Sequence, residues 1–203
     1  ILGLIFIPML KKLHVGQRIS VFVGEAHRKK EGTPTMGGII FILPTLLVTI
    51  LLLLTDKISY TSNLGIVLII FIGYALIGFL DDFLSIKRGN NEGLTEIQKL
   101  IGQVILALAF FFLYMKNGGQ TALVISTLGI HIEMGWLYGL FILFLLVGGS
   151  NAVNLTDGLD GLATGSSGIQ MVALAILAYV SSNVHYSGYL NIMYIPNAGE
   201  MVV

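Results

Sequence analysis

Residues 134–165, MGWLYGLFILFLLVGGSNAVNLTDGLDGLATG, join a long apolar run to a polar segment, and this junction decides the fold. The run at 134–153 has no charged residue and is about 20 residues long, as a helix that crosses a bilayer core must be. The segment at 151–165 then places two carboxamides and two carboxylates at the end of that run. Ionisable groups at the edge of a span are costly and generally face a cavity, a substrate or an ion. The junction therefore predicts a membrane protein with a functional site at the end of this span.

The spacing of these polar groups indicates how the segment is built. They recur every third residue, at Asn151, Asn154, Asp157 and Asp160. Neighbouring pairs can share a helix face, but the full set drifts by about 180° around a helix. Gly158 and Gly161 favour a break. We predict a helix that ends near Asn154, followed by a glycine-hinged polar turn whose backbone can approach a ligand closely.

Helix capping is the alternative role for this segment. Thr156 or Asp157 could cap a helix that begins near Leu162. A cap accounts for one such residue, whereas four side-chain oxygen donors lie within ten residues, which favours a ligand site. The donors are hard oxygens and the four histidines are scattered, so a metal here would be Mg²⁺ or Mn²⁺ rather than zinc.

Composition independently indicates a membrane protein. Hydrophobic residues make up 55% of the chain, charged residues make up 11%, and the mean hydropathy is +0.89, values outside the range of ordinary soluble domains. The absence of cysteine excludes disulfides and thiolate metal sites. The formal net charge of zero gives no reason to expect a nucleic-acid partner. We predict an all-α, polytopic integral membrane helix bundle in contact with the lipid bilayer.

Apolar runs divide the chain into spans. Five complete spans are predicted, at residues 37–55, 63–80, 100–115, 134–153 and 162–180. Residues 1–10 resemble the end of a first span because Lys11 and Lys12 follow them, and apolar character returns after Pro196. We therefore expect two partial spans, and residues 1–203 as a single, incomplete transmembrane domain whose C-terminal spans are missing.

Basic residues predict the orientation, since short loops rich in Lys and Arg stay in the cytoplasm. Nine of the eleven lie in the loops at 11–36 and 81–99, and only Lys57 and Lys116 lie on the other side. The predicted cytoplasmic loops are 11–36, 81–99 and 154–161, and the external ones are 56–62, 116–133 and 181–199. The external segment 116–133 has a Gly pair between polar and β-branched residues and favours a small hairpin.

A first cytoplasmic loop reads KKEGTPTMGG, at residues 29–38. Lysines beside a Gly pair that opens a helix would suit a phosphate group. The alternative is an ordinary basic juxtamembrane loop followed by a closely packed helix start.

A second cytoplasmic segment reads GFLDDFLSIKRGNNEGLTEIQK, at residues 78–99. Adjacent helical residues point about 100° apart, so Asp81 and Asp82 are predicted to do different jobs. A solvated helix end balanced by Lys87 and Arg88 is the alternative. Two acids at a helix C-terminus oppose the macrodipole, which favours a functional role for the pair.

Three motifs together carry a family resemblance: GTPTMGG, FLDDFLSIKRGNNEGLT and NAVNLTDGLDGLA. Their order and spacing resemble the phospho-N-acetylmuramoyl-pentapeptide-transferases, over nearly the whole chain. The resemblance implies transfer of phospho-N-acetylmuramoyl-pentapeptide from its UDP carrier to undecaprenyl phosphate, which gives lipid I and UMP and requires Mg²⁺. It also implies a homodimer in the bacterial cytoplasmic membrane, with ten spans and an active site facing the cytoplasm.

The resemblance also assigns roles to single residues. Asp81 and Asp82 match the family's paired catalytic aspartates. By the resemblance, the substrate-binding positions are Lys29 or Lys30, Thr33, Asn154, Asp157, Gly158, Leu159 and Asp160. Asn151 is added to them because it is one of the four side-chain oxygen donors at 151–160. Asn154 is the candidate metal ligand through its amide oxygen. The family's later aspartate, in a Phe-Met-Gly-Asp context, and its histidine-rich loop are absent from these 203 residues. We expect the 203 residues alone to insert into a membrane but not to catalyse.

The chemistry can be bounded further. A phosphate monoester is mostly dianionic at neutral pH, so the lipid phosphate needs positioning and charge compensation more than a general base. Direct attack is favoured, and an enzyme-linked intermediate on Asp81 or Asp82 stays open.

Two other functions also stay open. One is a sister transferase using UDP-N-acetylglucosamine. The other is a transporter, which the one-sided polar residues and the absence of a repeat disfavour.

Overall fold

The computed structural model of the chain describes residues 6–9, 36–89, 93–125, 129–157 and 161–202. Residues 6–9 are helical. The remaining elements are α1 (Ile39–Leu54), α2 (Ser62–Arg88), α3 (Glu96–Lys116), β1 (Ala122–Ile125), β2 (Ile130–Glu133), α4 (Leu137–Thr156), α5 (Leu162–Ser181), α6 (Val184–Tyr189) and a 3₁₀ helix (Ala198–Val202). Helices dominate the described part of the chain, as predicted.

Helices α2 to α5 are long and apolar enough to cross a membrane, judged by length and composition. They correspond to four of the five predicted spans. The run at 37–55 instead forms the 16-residue helix α1, which rises about 24 Å and is shorter than a bilayer core. Its first turn begins only after the Gly37–Gly38 pair, and Thr55 ends it. The class of polytopic membrane protein is thus confirmed, while the first of the five helices falls short of a full span.

The end of α2 differs from the sequence prediction. Helix α2 continues past residue 80 to Arg88, so Asp81 and Asp82 lie inside the helix. Lys87 and Arg88 occupy its last turn, where basic side chains suit the macrodipole. The premise that the two acids oppose the dipole at a helix terminus was therefore wrong. Helix α4 ends at Thr156, close to the end near Asn154 that the sequence predicted.

The capping alternative for the polar segment was also wrong. Helix α5 begins after Gly161, which has a φ of 80° and makes no side-chain cap bond. The hydroxyl of Thr156 donates instead to Ala152 O within α4, at 2.7 Å. Asp157 follows the end of α4, and its N–H donates to Asn154 O at 3.3 Å.

The chain forms two compact units. The first contains α1, α2 from Ile70 onward, and α3 up to Gly102. The second contains Asp56–Ile69 and everything from Gln103 onward. The assignment of residues 1–203 to a single domain stays a prediction.

The second unit contains the predicted hairpin. Strands β1 and β2 pair antiparallel, with Ala122 opposite Glu133 and Ile125 opposite Ile130. An interhelical bond lies at the same end of α3, where Asn117 Nδ2 donates to Asn63 Oδ1 at 2.7 Å. The existence of a hairpin within 116–133 is confirmed.

Burial in the described residues is sparse and large apolar side chains stay exposed. The buried apolar side chains are Ile58, Leu64, Ile66, Ala107, Ala163 and Ala198. Helices α1 and α4 bury none of their described residues, and Phe144 and Ile169 are 72% and 75% exposed. Apolar surface on this scale is incompatible with water and is expected to face hydrocarbon or other helices.

Candidate active site

Asp81 connects α2 to the segment that opens α3, within the first unit. Its Oδ1 accepts a hydrogen bond from Leu94 N–H at 2.7 Å. Its Oδ2 lies 2.7 Å from Lys99 Nζ, in an ion pair whose side chains are 28% and 31% exposed respectively. Both carboxylate oxygens are therefore occupied, one by a backbone amide and one by an ammonium group.

Asp82 makes a different connection within the same unit. Its Oδ2 accepts from Met36 N–H at 2.8 Å, just before α1. Met36 has a φ of 64°, the left-handed region that non-glycine residues seldom adopt. The Asp82 carboxylate thus holds a costly backbone conformation at the entrance to α1. Within the described ranges, its other oxygen, Oδ1, has no hydrogen-bond partner.

The two adjacent carboxylates therefore diverge, as helix geometry predicts. Asp81 reaches the start of α3, and Asp82 reaches the start of α1. The cation in the ion pair of Asp81 is Lys99, which the alternative based on Lys87 and Arg88 did not include. Arg88 Nη1 donates to Gly93 O at 2.7 Å.

The segment before α3 is itself tightly built. Thr95 and Gln98 form a capping box, in which Gln98 N–H donates to Thr95 Oγ1 at 3.3 Å and Thr95 N–H donates to Gln98 Oε1 at 3.0 Å. This box starts α3 one turn before Lys99 and so helps to direct the ammonium group at Asp81. Gly93 packs so closely against Asp81 that a Cβ there would collide with the carboxylate and the main-chain oxygen.

A second polar cluster lies in the second unit, between α3 and α4. Asn151 Nδ2 donates to Gln103 Oε1 and to Val147 O, both at 2.8 Å. Gln103 Nε2 donates to Ser150 Oγ at 3.2 Å. Gln103 is only 6% exposed. The amide of Asn151, predicted to bind substrate, is thus engaged in a bond between helices.

The remaining predicted site residues divide into two groups. Asn154 and Asp157 are exposed, at the end of α4. The others lie outside the described residues: Lys29, Lys30, Thr33, Gly158, Leu159 and Asp160. Their assignments stay predictions.

Sequence reasoning missed two side chains that the structure ties to the predicted site residues. Lys99 entered the sequence prediction only as one of the basic residues that indicate the orientation. No motif spacing connects it to Asp81, because a loop and a helix start lie between them. Gln103 carried a usable signal, because it is a lone amide inside the apolar run 100–115. A polar side chain in a membrane span generally has a specific partner.

The predicted metal ligand, Asn154, lies near the end of α4. Asn154 offers an amide oxygen, a hard donor of the kind that suits Mg²⁺. Among the residues that the structure describes, no group of three or more His, Cys, Asp or Glu side chains could hold a metal ion. The donor chemistry fits, and a complete coordination shell needs further ligands.

Comparison with known proteins gives consistent similarities. The model of glycosyl transferase family 4 matches residues 64–199, and the phospho-N-acetylmuramoyl-pentapeptide-transferase signature 1 matches residues 30–42. Three curated relatives, among others, bear the name phospho-N-acetylmuramoyl-pentapeptide-transferase. They are those of Geobacillus sp. (strain WCH70), 48% identical over 88% of this chain and 55% of the relative, Bacillus licheniformis, 46% over 90% and 56%, and Bacillus subtilis (strain 168), 45% over 90% and 56%. The chain spans about half the length of the curated relatives that it matches.

Proposed function

This chain belongs to glycosyl transferase family 4 and, within it, to the phospho-N-acetylmuramoyl-pentapeptide-transferases, and from that membership we propose its reaction. The intact protein transfers phospho-N-acetylmuramoyl-pentapeptide from UDP to undecaprenyl phosphate. The products are lipid I and UMP, in the first membrane step of peptidoglycan synthesis.

One structural observation supports this proposal most directly. Where the apolar part of α2 ends, two neighbouring carboxylates are held apart by separate partners, Leu94 and Lys99 for Asp81 and Met36 for Asp82. A site that handles phosphate groups needs such preorganised charge, because the reacting groups are anions that must be positioned against one another. Asp82 is the better placed of the two to meet an incoming group, since Asp81 has both oxygens occupied.

In the proposed reaction, the lipid phosphate attacks the sugar-linked phosphorus directly. One P–O bond forms to the undecaprenyl phosphate oxygen, the P–O bond to UMP breaks, and UMP leaves with that electron pair. The dianionic phosphate needs little help from a general base. The residues of the chain bind and orient: the loop with Lys29, Lys30 and Thr33 on the phosphates, and the segment 151–160 on the nucleotide side.

Mg²⁺ is the proposed cofactor. When bound, it would offset the negative charge of the diphosphate. Asn154 would contribute its amide oxygen, together with ligands beyond those described above.

The proposed setting is a bacterial cytoplasmic membrane, with the site facing the cytoplasm and a second copy of the chain as partner. The distribution of Lys and Arg supports this orientation, since nine of eleven lie in the loops assigned to the cytoplasm. The lipid carrier would then reach the site from the bilayer, and the soluble UDP substrate from the cytoplasm.

Release of UMP by the intact protein in detergent tests the proposal. With Mg²⁺ and undecaprenyl phosphate, UDP-N-acetylmuramoyl-pentapeptide should give UMP and UDP-N-acetylglucosamine should not. The opposite preference would identify the sister transferase, and solute transport without UMP release would identify a transporter. Inversion of configuration at the transferred phosphorus would support direct attack, and retention would support an intermediate on Asp81 or Asp82.

Replacement of Asp157 or Asp160 with Ala separates binding from folding. We expect a raised KM for the UDP substrate or a lowered kcat, because each substitution removes an oxygen donor from the nucleotide side. A structural role alone would leave the kinetics unchanged and lower the free energy of unfolding. Steady-state kinetics and a thermal melt on the same preparations distinguish the two.

A further inference from the structure

Gln103 is an unusual residue for its place in the fold. It lies on α3, one of the four helices long and apolar enough to span a membrane, and is one of two buried polar side chains in the described residues. Both ends of its amide are used, because Oε1 accepts from Asn151 and Nε2 donates to Ser150. Hydrogen bonds of this kind join helices in hydrocarbon, where water cannot replace a lost partner.

The partners of Gln103 lie just beyond a weak point in α4. Gly148 and Gly149 immediately precede Ser150, and a Cβ at either glycine would meet nothing within 4 Å. Close packing therefore does not require glycine there. A glycine pair inside a helix nevertheless loosens it, because the unfolded backbone gains freedom.

The geometry connects this contact to the candidate nucleotide side. Asn154 follows Asn151 by three residues, which is a rise of about 4.5 Å and a rotation of about 60° from the same face. A contact that fixes the rotation of α4 at Asn151 therefore also fixes the direction of Asn154. Asp157 directly follows the same helix.

We propose that Gln103 is a positioning residue, which clamps the end of α4 beyond the Gly148–Gly149 pair and so presents Asn154 and Asp157 to the UDP substrate. This inference rests on the proposed function. Gln103 does not touch the substrate in this scheme and acts through Asn151 and Ser150.

Gln103→Leu in the intact enzyme tests the clamp, because leucine keeps much of the volume and removes the amide. We expect faster hydrogen exchange of the backbone amides at 150–157, with residues 137–147 unchanged. We also expect the KM for the UDP substrate to rise about tenfold, as misplaced binding groups cause, while the KM for undecaprenyl phosphate stays unchanged. Unchanged exchange at 150–157 would overturn the proposal, and so would equal rises in both KM values.

Further variants keep the test decisive. Gln103→Glu retains the acceptor for Asn151 but loses the amide donor to Ser150, and Ser150→Ala removes the same longer bond from the other side. Both should give a smaller rise in KM than Gln103→Leu. If Gln103→Leu does not fold, Asn151→Leu removes the shorter bond from the α4 side, and unchanged exchange at 150–157 in that variant would then overturn the clamp. Asn63→Leu is the matched control, since it removes another amide bond between helices, at the opposite end of α3, and should leave both KM values unchanged.

The measurements also distinguish the clamp from the function on which it rests. Hydrogen exchange reports on the clamp without any substrate. If exchange rises at 150–157 but Asp160→Ala and Gln103→Leu both leave the KM for the UDP substrate unchanged, the assignment of this segment to the nucleotide is wrong. The positioning role then falls with it, and the helix clamp itself stands.

Discussion

Asp81→Asn and Asp82→Asn should each lower UMP release by the intact protein by at least about 100-fold, equivalent to about 2.7 kcal/mol in the barrier. Asparagine has nearly the shape of aspartate and retains an oxygen that can accept from Leu94 or Met36. The substitution therefore removes the negative charge and keeps the backbone anchor. The measurement is steady-state UMP release, beside membrane insertion and thermal unfolding of each variant.

Alanine at the same positions provides the contrast. Asp82→Ala leaves Met36 N–H without its acceptor, in a residue whose left-handed backbone already costs energy. We expect it to lose activity and about 1 kcal/mol or more of unfolding free energy, whereas Asp82→Asn loses activity alone. Near-normal UMP release from both asparagine variants would show that the pair serves only to anchor helices.

Gly93→Ala should cause a comparable loss of activity by displacing Asp81. A Cβ at this position would collide with both the carboxylate and the main-chain oxygen of Asp81, and the main chain cannot swing aside as a flexible side chain can. The segment must then shift, which strains the Leu94–Asp81 bond. Misplacement of a reacting group by about 1 Å can cost about 100-fold in rate, so UMP release should fall by that order.

Gly78→Ala is the matched control for this prediction. Gly78 lies on α2, one turn before Asp81, and a Cβ there would meet nothing within 4 Å. It should retain activity and gain slightly in stability, because alanine favours a helix by up to about 1 kcal/mol. Equal activity of the two variants would mean that the close contact at Gly93 does not position Asp81.

Much of the architecture was available from local pattern. Uncharged runs of spanning length predicted the helices now seen as α2 to α5, and the Gly pair at 118–119 predicted the hairpin. The helix ends were less accessible. The run at 63–80 stops being apolar at Asp81, yet α2 continues to Arg88, because backbone hydrogen bonding does not require apolar side chains once a helix leaves the bilayer core.

Sequence alone determined the membrane class, the family and the candidate aspartates, since these depend on composition and on motifs of adjacent residues. Only the tertiary structure decided what each aspartate holds. Lys99 lies 18 positions from Asp81, and Met36 lies 46 positions from Asp82. Such pairs form because folding brings distant helix ends together, and no local periodicity encodes that. The same holds for Gln103 and Asn151, which are 48 residues apart and joined by a hydrogen bond. In apolar surroundings this bond stabilises the helix pair, because water cannot replace a lost partner.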